Sequence, residues 1–258
     1  MKIAFIGFGN MGRAIAGGIV AAGMCSCDDI LACDIASGEY NGIKIGTDNA
    51  AAAGSADIVF LSVKPVALAT AVESIKDAVS ENTIIVSIVA GRDIASIEQL
   101  FAKKIKLVRL MPNTPALVGK AMIAVSSNVN VLPQEVDTVM SILKTCGEAE
   151  IVPEKLMDVV TGVSGSSPAF VYMFIEALAD GAVAEGMPRA QAYKFAAQTV
   201  MGSAQMVLST GKHPGELKDM VTSPAGTTIE GVAVLEEMGF RASVIDAVRA
   251  AVEKSRQL

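Results

Sequence analysis

Short apolar runs alternate with helical stretches through the first half of the chain. The runs predict strands at residues 2–7, 29–34, 57–63, 83–89, 106–111 and 121–126. Most of them are apolar at every position, which is typical of strands covered on both faces. Apolar residues at helical spacing predict helices at residues 10–22, 66–79 and 93–101. This alternation predicts a right-handed, doubly wound parallel sheet of the α/β class.

One crossover of this sheet is unusually short. Only residues 35–41 separate the second strand from a weak third strand at residues 42–45. A parallel crossover normally takes about a dozen residues. We therefore expect a turn or a stub of helix in this segment.

The alternation stops near Pro153. A helix at residues 133–146 and a strand at 148–152 come first, and the rest of the chain shows only helical patterns, at residues 154–163, 168–186, 188–210, 213–221, 227–238 and 240–257. We predict two domains, an α/β domain at residues 1–153 and an all-α domain at 154–258. The helical half has little polar surface, so we expect it to form a homodimer interface.

Composition excludes several classes of function. The net charge is −6, aromatic residues make up 4% and tryptophan is absent, which argues against nucleic-acid binding. The mean hydropathy of +0.48 is high, but the longest uncharged stretch, residues 159–175, is interrupted by two glycines and a proline. We expect a soluble, cytoplasmic protein without a membrane span. Four cysteines and one histidine predict neither a disulfide framework nor a metal site.

A glycine-rich motif follows the first predicted strand. Gly7, Gly9 and Gly12 fit G-x-G-x-x-G, and a helix follows them. In a Rossmann domain this turn brings the backbone close to a dinucleotide pyrophosphate at the helix N-terminus. Asp34 ends the second strand 22 residues after Gly12, where a carboxylate binds the ribose 2′-hydroxyl. We predict a nicotinamide dinucleotide site.

Three further loops follow predicted strands and are expected at the same edge of the sheet. They are V-K-P at residues 63–65, A-G at 90–91 and M-P-N-T-P at 111–115. Ligands of open parallel sheets bind at the carboxyl ends of the strands. We expect the first two loops to flank the nicotinamide.

Two serine- and threonine-rich segments open helices in the second half. Ser167 and Pro168 read as N-cap and first helical residue, and the spacing does not fit a serine nucleophile. In T-S-P-A-G-T-T, residues 222–228, Thr227 and Glu230 read as a capping box. Exposed N–H groups there would receive a small carboxylate.

These motifs together resemble the pyrroline-5-carboxylate reductase family over essentially the whole chain. The most specific are G-F-G-N-M-G, V-K-P, M-P-N-T-P, T-G-V-S-G-S-S-P-A-F and L-K-D-M-V-T-S-P-A-G-T-T-I-E-G. The resemblance implies reduction of 1-pyrroline-5-carboxylate to L-proline with NADPH or NADH. It also implies a Rossmann domain, an interleaved helical homodimer and, in many members, a pentamer of dimers.

The resemblance also implies site residues. Coenzyme contacts are expected at Ile6, Gly7, Phe8, Gly9, Asn10, Met11, Gly12, Asp34, Asn49, Ser62, Val63, Lys64, Pro65, Val89, Ala90 and Gly91. Substrate contacts are expected at Glu154, Ser223, Gly226, Thr227 and Thr228, with sites shared between subunits. Thr228 is the expected catalytic residue, because its hydroxyl can hydrogen-bond the imine nitrogen.

Two departures from the family pattern matter. G-S-G-P-A-Y reads G-S-S-P-A-F at residues 165–170, and the short segment 35–41 removes much of a helix. The second departure bears on coenzyme choice: Asp34 and Glu39 precede any basic residue there, so we expect NADH to serve at least as well as NADPH. Two alternatives stay open, a β-hydroxyacid-dehydrogenase-like oxidoreductase, whose catalytic lysine has no counterpart here, and a non-catalytic dinucleotide sensor.

Overall fold

A computed structural model describes residues 1–257, and in it the chain divides into two compact units. The first unit is Met1–Ser166 together with the chain from Ala251 onward, and the second is Ser167–Ala250. The two units are defined by their internal contacts. The boundary predicted at Pro153 instead marks where alternating strands and helices give way to helices alone. That domain boundary therefore stays a prediction.

The first unit is built on a nine-stranded sheet. Its strands are β1 (Ile3–Ile6), β2 (Ile30–Cys33), β3 (Gly38–Tyr40), β4 (Ile43–Gly46), β5 (Ile58–Leu61), β6 (Ile84–Ser87), β7 (Lys106–Met111), β8 (Ala121–Ser127) and β9 (Gly147–Ile151). They lie in the order β3-β4-β2-β1-β5-β6-β7-β8-β9. All neighbours are parallel except the β3–β4 and β7–β8 pairs. The predicted parallel, doubly wound sheet is confirmed for its central strands.

Short helices cover both faces of this sheet. They are α1 (Asn10–Ala21), α2 (Asn49–Gly54), α3 (Leu68–Ile75), α4 (Ile94–Phe101), α5 (Pro133–Leu143) and α6 (Met157–Val160). Alternate residues of the central strands enter two separate apolar layers. In β1, Ile3 and Phe5 join the layer under α1 and α5, and Ala4 and Ile6 join the layer under α3 and α4. Every β1 side chain is thus buried, as the unbroken apolar run predicted.

The segment at residues 35–41 contains a short strand, β3, in place of the turn or stub of helix that we expected. β3 runs antiparallel to β4, with Glu39 opposite Lys44. Asn41, at φ 51°, and Gly42, at φ 82°, turn the chain between the two strands. Two consecutive residues with positive φ suit a tight hairpin. The missing crossover helix is therefore replaced by a hairpin at the edge of the sheet.

The antiparallel β8 is a second correction to the all-parallel expectation. Only nine residues, 112–120, connect β7 to β8. This connection is too short for a parallel crossover. Gly119 adopts φ +68° at the end of a 3-10 turn, Thr114–Val118, and lets the chain reverse.

The second unit is helical, and its buried apolar core is small. Its helices are α7 (Ser167–Ala184), α8 (Arg189–Thr210), α9 (Pro214–Met220), α10 (Thr227–Glu237) and α11 (Phe240–Ser255), the last ending in the first unit. Among the described residues, its buried apolar cluster consists of Ala179, Ala192 and Ala196. Large apolar side chains such as Met173, Phe195 and Leu208 are exposed. This unit leaves much of its apolar surface uncovered.

Candidate functional site

The glycine-rich turn is held between the ends of three strands. The N–H of Gly7 donates to the carbonyl of Cys33 at 2.9 Å, and the Ser62 hydroxyl donates to the Gly7 carbonyl at 2.5 Å. Gly7 has φ +86°, and a Cβ there would lie 2.7 Å from the Ser62 carbonyl oxygen. A Cβ on Gly12 would lie 3.2 Å from both the Gly7 oxygen and the Ser62 hydroxyl. The turn therefore requires glycine at position 7 and tight packing at position 12.

The outer side of the same turn is open. A Cβ built on Gly9 would meet nothing within 4 Å. Gly9 is the N-cap of α1, and no side chain caps the helix. Because the first N–H groups of a helix attract anions, this open backbone fits a dinucleotide pyrophosphate. The predicted contacts from Ile6 to Gly12 lie together at this turn.

Asp34 is fixed beside the turn. Its Oδ2 accepts from the N–H of Phe8 at 2.8 Å, and its Oδ1 accepts from the N–H of Ile35 at 2.7 Å. Asp34 and Asn49 line one cavity of about 270 Å³ with Gly7 and Val63. The structure thus brings the two predicted ribose residues together. Their role toward the ribose stays a prediction.

Two basic side chains of this domain, Lys44 and Arg13, do not line this cavity. Lys44 lines a different cleft, of about 420 Å³, with Asp28 and Asp48. Arg13, which the sequence analysis did not single out, donates from Nε to the Phe8 carbonyl at 2.9 Å. Its guanidinium lies 5.0 Å from the centre of the Tyr40 ring. Only the position of Tyr40 on β3 brings this pair together, so periodicity could not have revealed it.

The two loops assigned to the nicotinamide side follow β5 and β6. Lys64 is exposed and precedes a 3-10 turn, Pro65–Ala67. Val89 is buried, and its N–H donates to the Ser87 hydroxyl at 3.3 Å. Both loops lie at the carboxyl ends of adjacent parallel strands, where a Rossmann ligand binds. Their contacts with the nicotinamide stay predictions.

Glu154 takes part in an ion pair that the sequence did not predict. Its Oε1 accepts from Arg109 Nη1 at 3.0 Å and from the N–H of Ile94 at 2.7 Å. Arg109 is buried within β7, and its Nε has no hydrogen-bond partner among residues 1–257. The available signal was an arginine inside the apolar run K-L-V-R-L-M. Its partner 45 residues away could not be read from the sequence.

The M-P-N-T-P loop contacts the T-G-V-S-G-S segment. Asn113 Nδ2 donates to the Ser164 carbonyl at 3.0 Å, and Asn113 Oδ1 accepts from the N–H of Met122 at 3.0 Å. Ser164 lies in a π-helical turn, Thr161–Gly165, which interrupts the predicted continuous helix. Such turns recur at functional sites.

In the second unit, the T-S-P-A-G-T-T loop opens α10. The predicted capping box is wrong: Gly226 is the N-cap, and Thr227 is already helical. The N–H of Gly226 donates to the Ser223 carbonyl at 3.1 Å, which closes the turn one residue earlier than expected. No side chain caps α10, and Ser223 and Thr228 are exposed. The open N–H groups suit a small carboxylate.

The predicted substrate residues fall in different units. Glu154 belongs to the first unit, and Ser223, Gly226, Thr227 and Thr228 belong to the second. Within the second unit these four lie on one short turn and the start of one helix. Their part in binding substrate stays a prediction.

Asp93, which precedes the Ile94 N–H that Glu154 accepts, has a lowered pKa. The side-chain hydroxyl and backbone N–H of Ser96 lower the pKa of Asp93, with a smaller contribution from Arg109. Asp93 caps α4, with Oδ1 accepting from the N–H of Ser96 at 2.8 Å.

Across residues 1–257, no cluster of three or more His, Cys, Asp or Glu side chains could hold a metal ion.

Comparisons with known proteins agree with this architecture. The family model for pyrroline-5-carboxylate reductase dimerisation matches residues 154–258, and that for an NADP oxidoreductase, coenzyme F420-dependent, matches residues 2–91. The chain is 49% identical to the pyrroline-5-carboxylate reductase of Escherichia coli (strain K12), covering 100% of this chain and 98% of that protein. Identity to the Methanosarcina acetivorans enzyme of that name is 44%, covering 100% and 97%.

Solved structures give the same result. The crystal structure of Plasmodium falciparum pyrroline carboxylate reductase with NADP bound matches with a TM-score of 0.92 at 34% identity, covering 100% of this chain and 97% of that one. The Coxiella burnetii pyrroline-5-carboxylate reductase matches with a TM-score of 0.91 at 31% identity, covering 99% and 97%. The chain therefore belongs to the pyrroline-5-carboxylate reductases, a family of NAD(P)-dependent oxidoreductases.

Proposed function

We propose that this chain reduces 1-pyrroline-5-carboxylate to L-proline with a hydride from NADPH or NADH, the last step of proline biosynthesis. The observation that carries the proposal is the open backbone of the turn at Gly9, on a chain that belongs to this reductase family. The uncapped start of α10 adds a place for the substrate carboxylate.

The main contribution of the protein to this reaction is to orient the coenzyme and the substrate. The dihydronicotinamide, when bound, supplies the hydride to the carbon of the C=N bond. The backbone N–H groups around Gly226 and Thr228 hold the substrate carboxylate. The Thr228 hydroxyl hydrogen-bonds the ring nitrogen and orients the protonated imine, because a hydroxyl of ordinary acidity is a weak proton donor.

Glu154 belongs to this proposal by resemblance. Glu154 matches one of the positions that, in the family, surround bound proline. The hydrogen bonds described for its carboxylate go to Oε1, and its side chain is 32% exposed. The carboxylate is thus already fixed before any substrate binds.

We propose a homodimer assembled through the helical unit, with pentamers of dimers as a further assembly, in the cytoplasm. The support is the exposed apolar surface of that unit and the dimerisation model that matches it. The helical stretch Glu154–Ala184 is long and apolar enough to cross a membrane by length and composition. Homodimer interfaces are also more apolar than the rest of a protein surface. Light scattering of purified protein tests this, and a folded, active monomer at micromolar concentration contradicts it.

The decisive experiment for the activity is oxidation of NADH and NADPH by purified protein. Turnover with pyrroline-5-carboxylate, and none with a panel of 2-oxo acids, supports the proposal. Turnover restricted to the oxo acids supports a hydroxyacid dehydrogenase instead. Coenzyme binding without turnover on any of these substrates identifies a sensor.

A further inference from the structure

A row of buried polar side chains crosses three strands of the sheet. Ser87 of β6, Arg109 of β7 and Ser126 of β8 stand side by side in register, and all three are buried. Leu107 and Met111, on the same face of β7, are buried apolar residues. Burying a guanidinium costs free energy unless it is paired. The row therefore needs an explanation beyond packing.

The charge of Arg109 is paired through a single carboxylate. Glu154 Oε1 lies 3.0 Å from Arg109 Nη1 and accepts the N–H of Ile94 at 2.7 Å. Ile94 is the first residue of α4. Glu154 thus connects the middle of β7 to the start of α4.

Ser87 of the row and Glu154 together hold the two ends of one loop. Residues 88–93 join β6 to α4 and contain the Val89–Gly91 segment. At the first end, the Ser87 hydroxyl accepts the N–H of Val89 at 3.3 Å. At the second end, Glu154 accepts the N–H of Ile94. Gly91, with φ +69°, turns the chain between these two anchors.

We infer that Arg109 and Glu154 are positioning residues that fix this loop against the nicotinamide half of the coenzyme. The inference rests on the proposed function, which places Val89–Gly91 beside the nicotinamide. Arg109 acts only through Glu154 and the loop, because it is buried within the sheet. The residues proposed for the ribose, Asp34 and Asn49, line a cavity to which neither Arg109 nor Glu154 contributes, so binding of the adenosine half should not depend on this ion pair.

The test compares two ligands in the absence of substrate. ADP-ribose lacks the nicotinamide, whereas the reduced coenzyme carries it. Glu154→Ala removes the acceptor shared by Arg109 and Ile94. Losing one charge-assisted hydrogen bond should raise the Kd of the reduced coenzyme about tenfold. The Kd of ADP-ribose should stay within about twofold of the unchanged protein, since a twofold change is only about 0.4 kcal/mol.

Two conservative variants should change the Kd of the reduced coenzyme in the same direction. Glu154→Gln keeps an oxygen for the N–H of Ile94 but loses the charge, so its Kd for the reduced coenzyme should be intermediate. Arg109→Lys keeps the charge without the planar guanidinium, and should shift the same Kd in the same direction. If the Arg109 variant fails to fold, the two Glu154 variants carry the test, because Glu154 is partly exposed.

A matched control lies at the other end of β7. Lys106 Nζ pairs with Glu135 Oε1 at 2.5 Å, and Glu135 Oε2 accepts the N–H of Leu132 at the start of α5. This pair also joins β7 to a helix start, but away from the ligand edge. Glu135→Ala should leave both Kd values unchanged, even where it lowers the melting temperature.

Parallel weakening of both ligands in Glu154→Ala, or no change in either, overturns the inference. The same selective loss in Glu135→Ala overturns it as well, because a general loss of stability then explains the result. These binding measurements need no turnover. Absence of pyrroline-5-carboxylate reduction by the unchanged protein would instead contradict the proposed function.

Discussion

Replacing Asp34 should change the choice of coenzyme. The carboxylate is held beside the glycine-rich turn by the N–H groups of Phe8 and Ile35, at 2.8 and 2.7 Å. No Lys or Arg lines its cavity. A fixed, unpaired carboxylate accepts from a free ribose 2′-hydroxyl, but it repels the 2′-phosphate of NADPH.

Coulomb's law gives the size of this repulsion. Two unit charges about 5 Å apart at an effective dielectric constant near 20 repel by about 3 kcal/mol. Asp34 is only partly buried, so water and salt reduce this to about 1–2 kcal/mol. That corresponds to a factor of about 5 to 30 in kcat/KM. We expect NADH to be used at least as well as NADPH.

The assay measures kcat/KM for both coenzymes, side by side, in the unchanged protein, Asp34→Ser and Asp34→Asn. Both variants remove the charge, and the asparagine also keeps the shape. Each should move the ratio toward NADPH by about 5- to 30-fold. Glu148→Gln is the matched control, because Glu148 is an exposed carboxylate on β9, at the opposite edge of the sheet from the hairpin.

A preference of the unchanged protein for NADPH beyond about tenfold refutes the argument, because tenfold exceeds what a repulsive Asp34 permits. An unchanged ratio in both Asp34 variants refutes it too. In either case, the carboxylate does not face the ribose.

Three further predictions concern other parts of the chain. Thr228→Ala should lower kcat/KM about 10- to 100-fold while coenzyme Kd stays constant, and an unchanged kcat/KM would remove Thr228 from the mechanism. Gly226→Ala places a Cβ 2.3 Å from Ser223 Oγ, so substrate KM should rise; equal KM values would show that the turn is irrelevant to binding. Burial raises the pKa of the Cys146 thiol, so iodoacetamide at pH 8 should alkylate the more exposed Cys27 first, and mass spectrometry showing earlier labelling of Cys146 would contradict this.

The central fold could be predicted because each buried strand carries its own signal. The apolar run before Gly7 and the glycines themselves specify β1 and its turn locally. β3 carries no such signal, because three residues, Gly38–Tyr40, are too few to show a period. The six-residue helix α2 was likewise too short to detect. Both depend on neighbours that only the folded chain supplies.

The candidate site likewise contains residues that the sequence predicted and residues that it did not. Asp34 was predicted from its place at the end of the second strand, whereas Asn49, at the start of the undetected α2, was expected only from the family resemblance. The partnership of Arg109 with Glu154 depends on how β7 meets the segment after β9, and spacing contains no information about that. The cap of α10 was displaced by one residue because the turn from Ser223 to Gly226, not the threonine hydroxyl, sets the start of the helix.

The hairpin that replaces the crossover helix also changes how the protein resists aggregation. It makes the three-residue β3 one edge of the sheet, where Glu39 is exposed, while β9 at the opposite edge exposes Glu148 and Glu150. Unpaired strand edges can add the strand of another molecule, and short or charged edges prevent this. Here both edges carry negative charge in a chain of net charge −6, so two copies meeting edge to edge repel each other. Both edges are therefore poorly suited to adding the strand of a second copy.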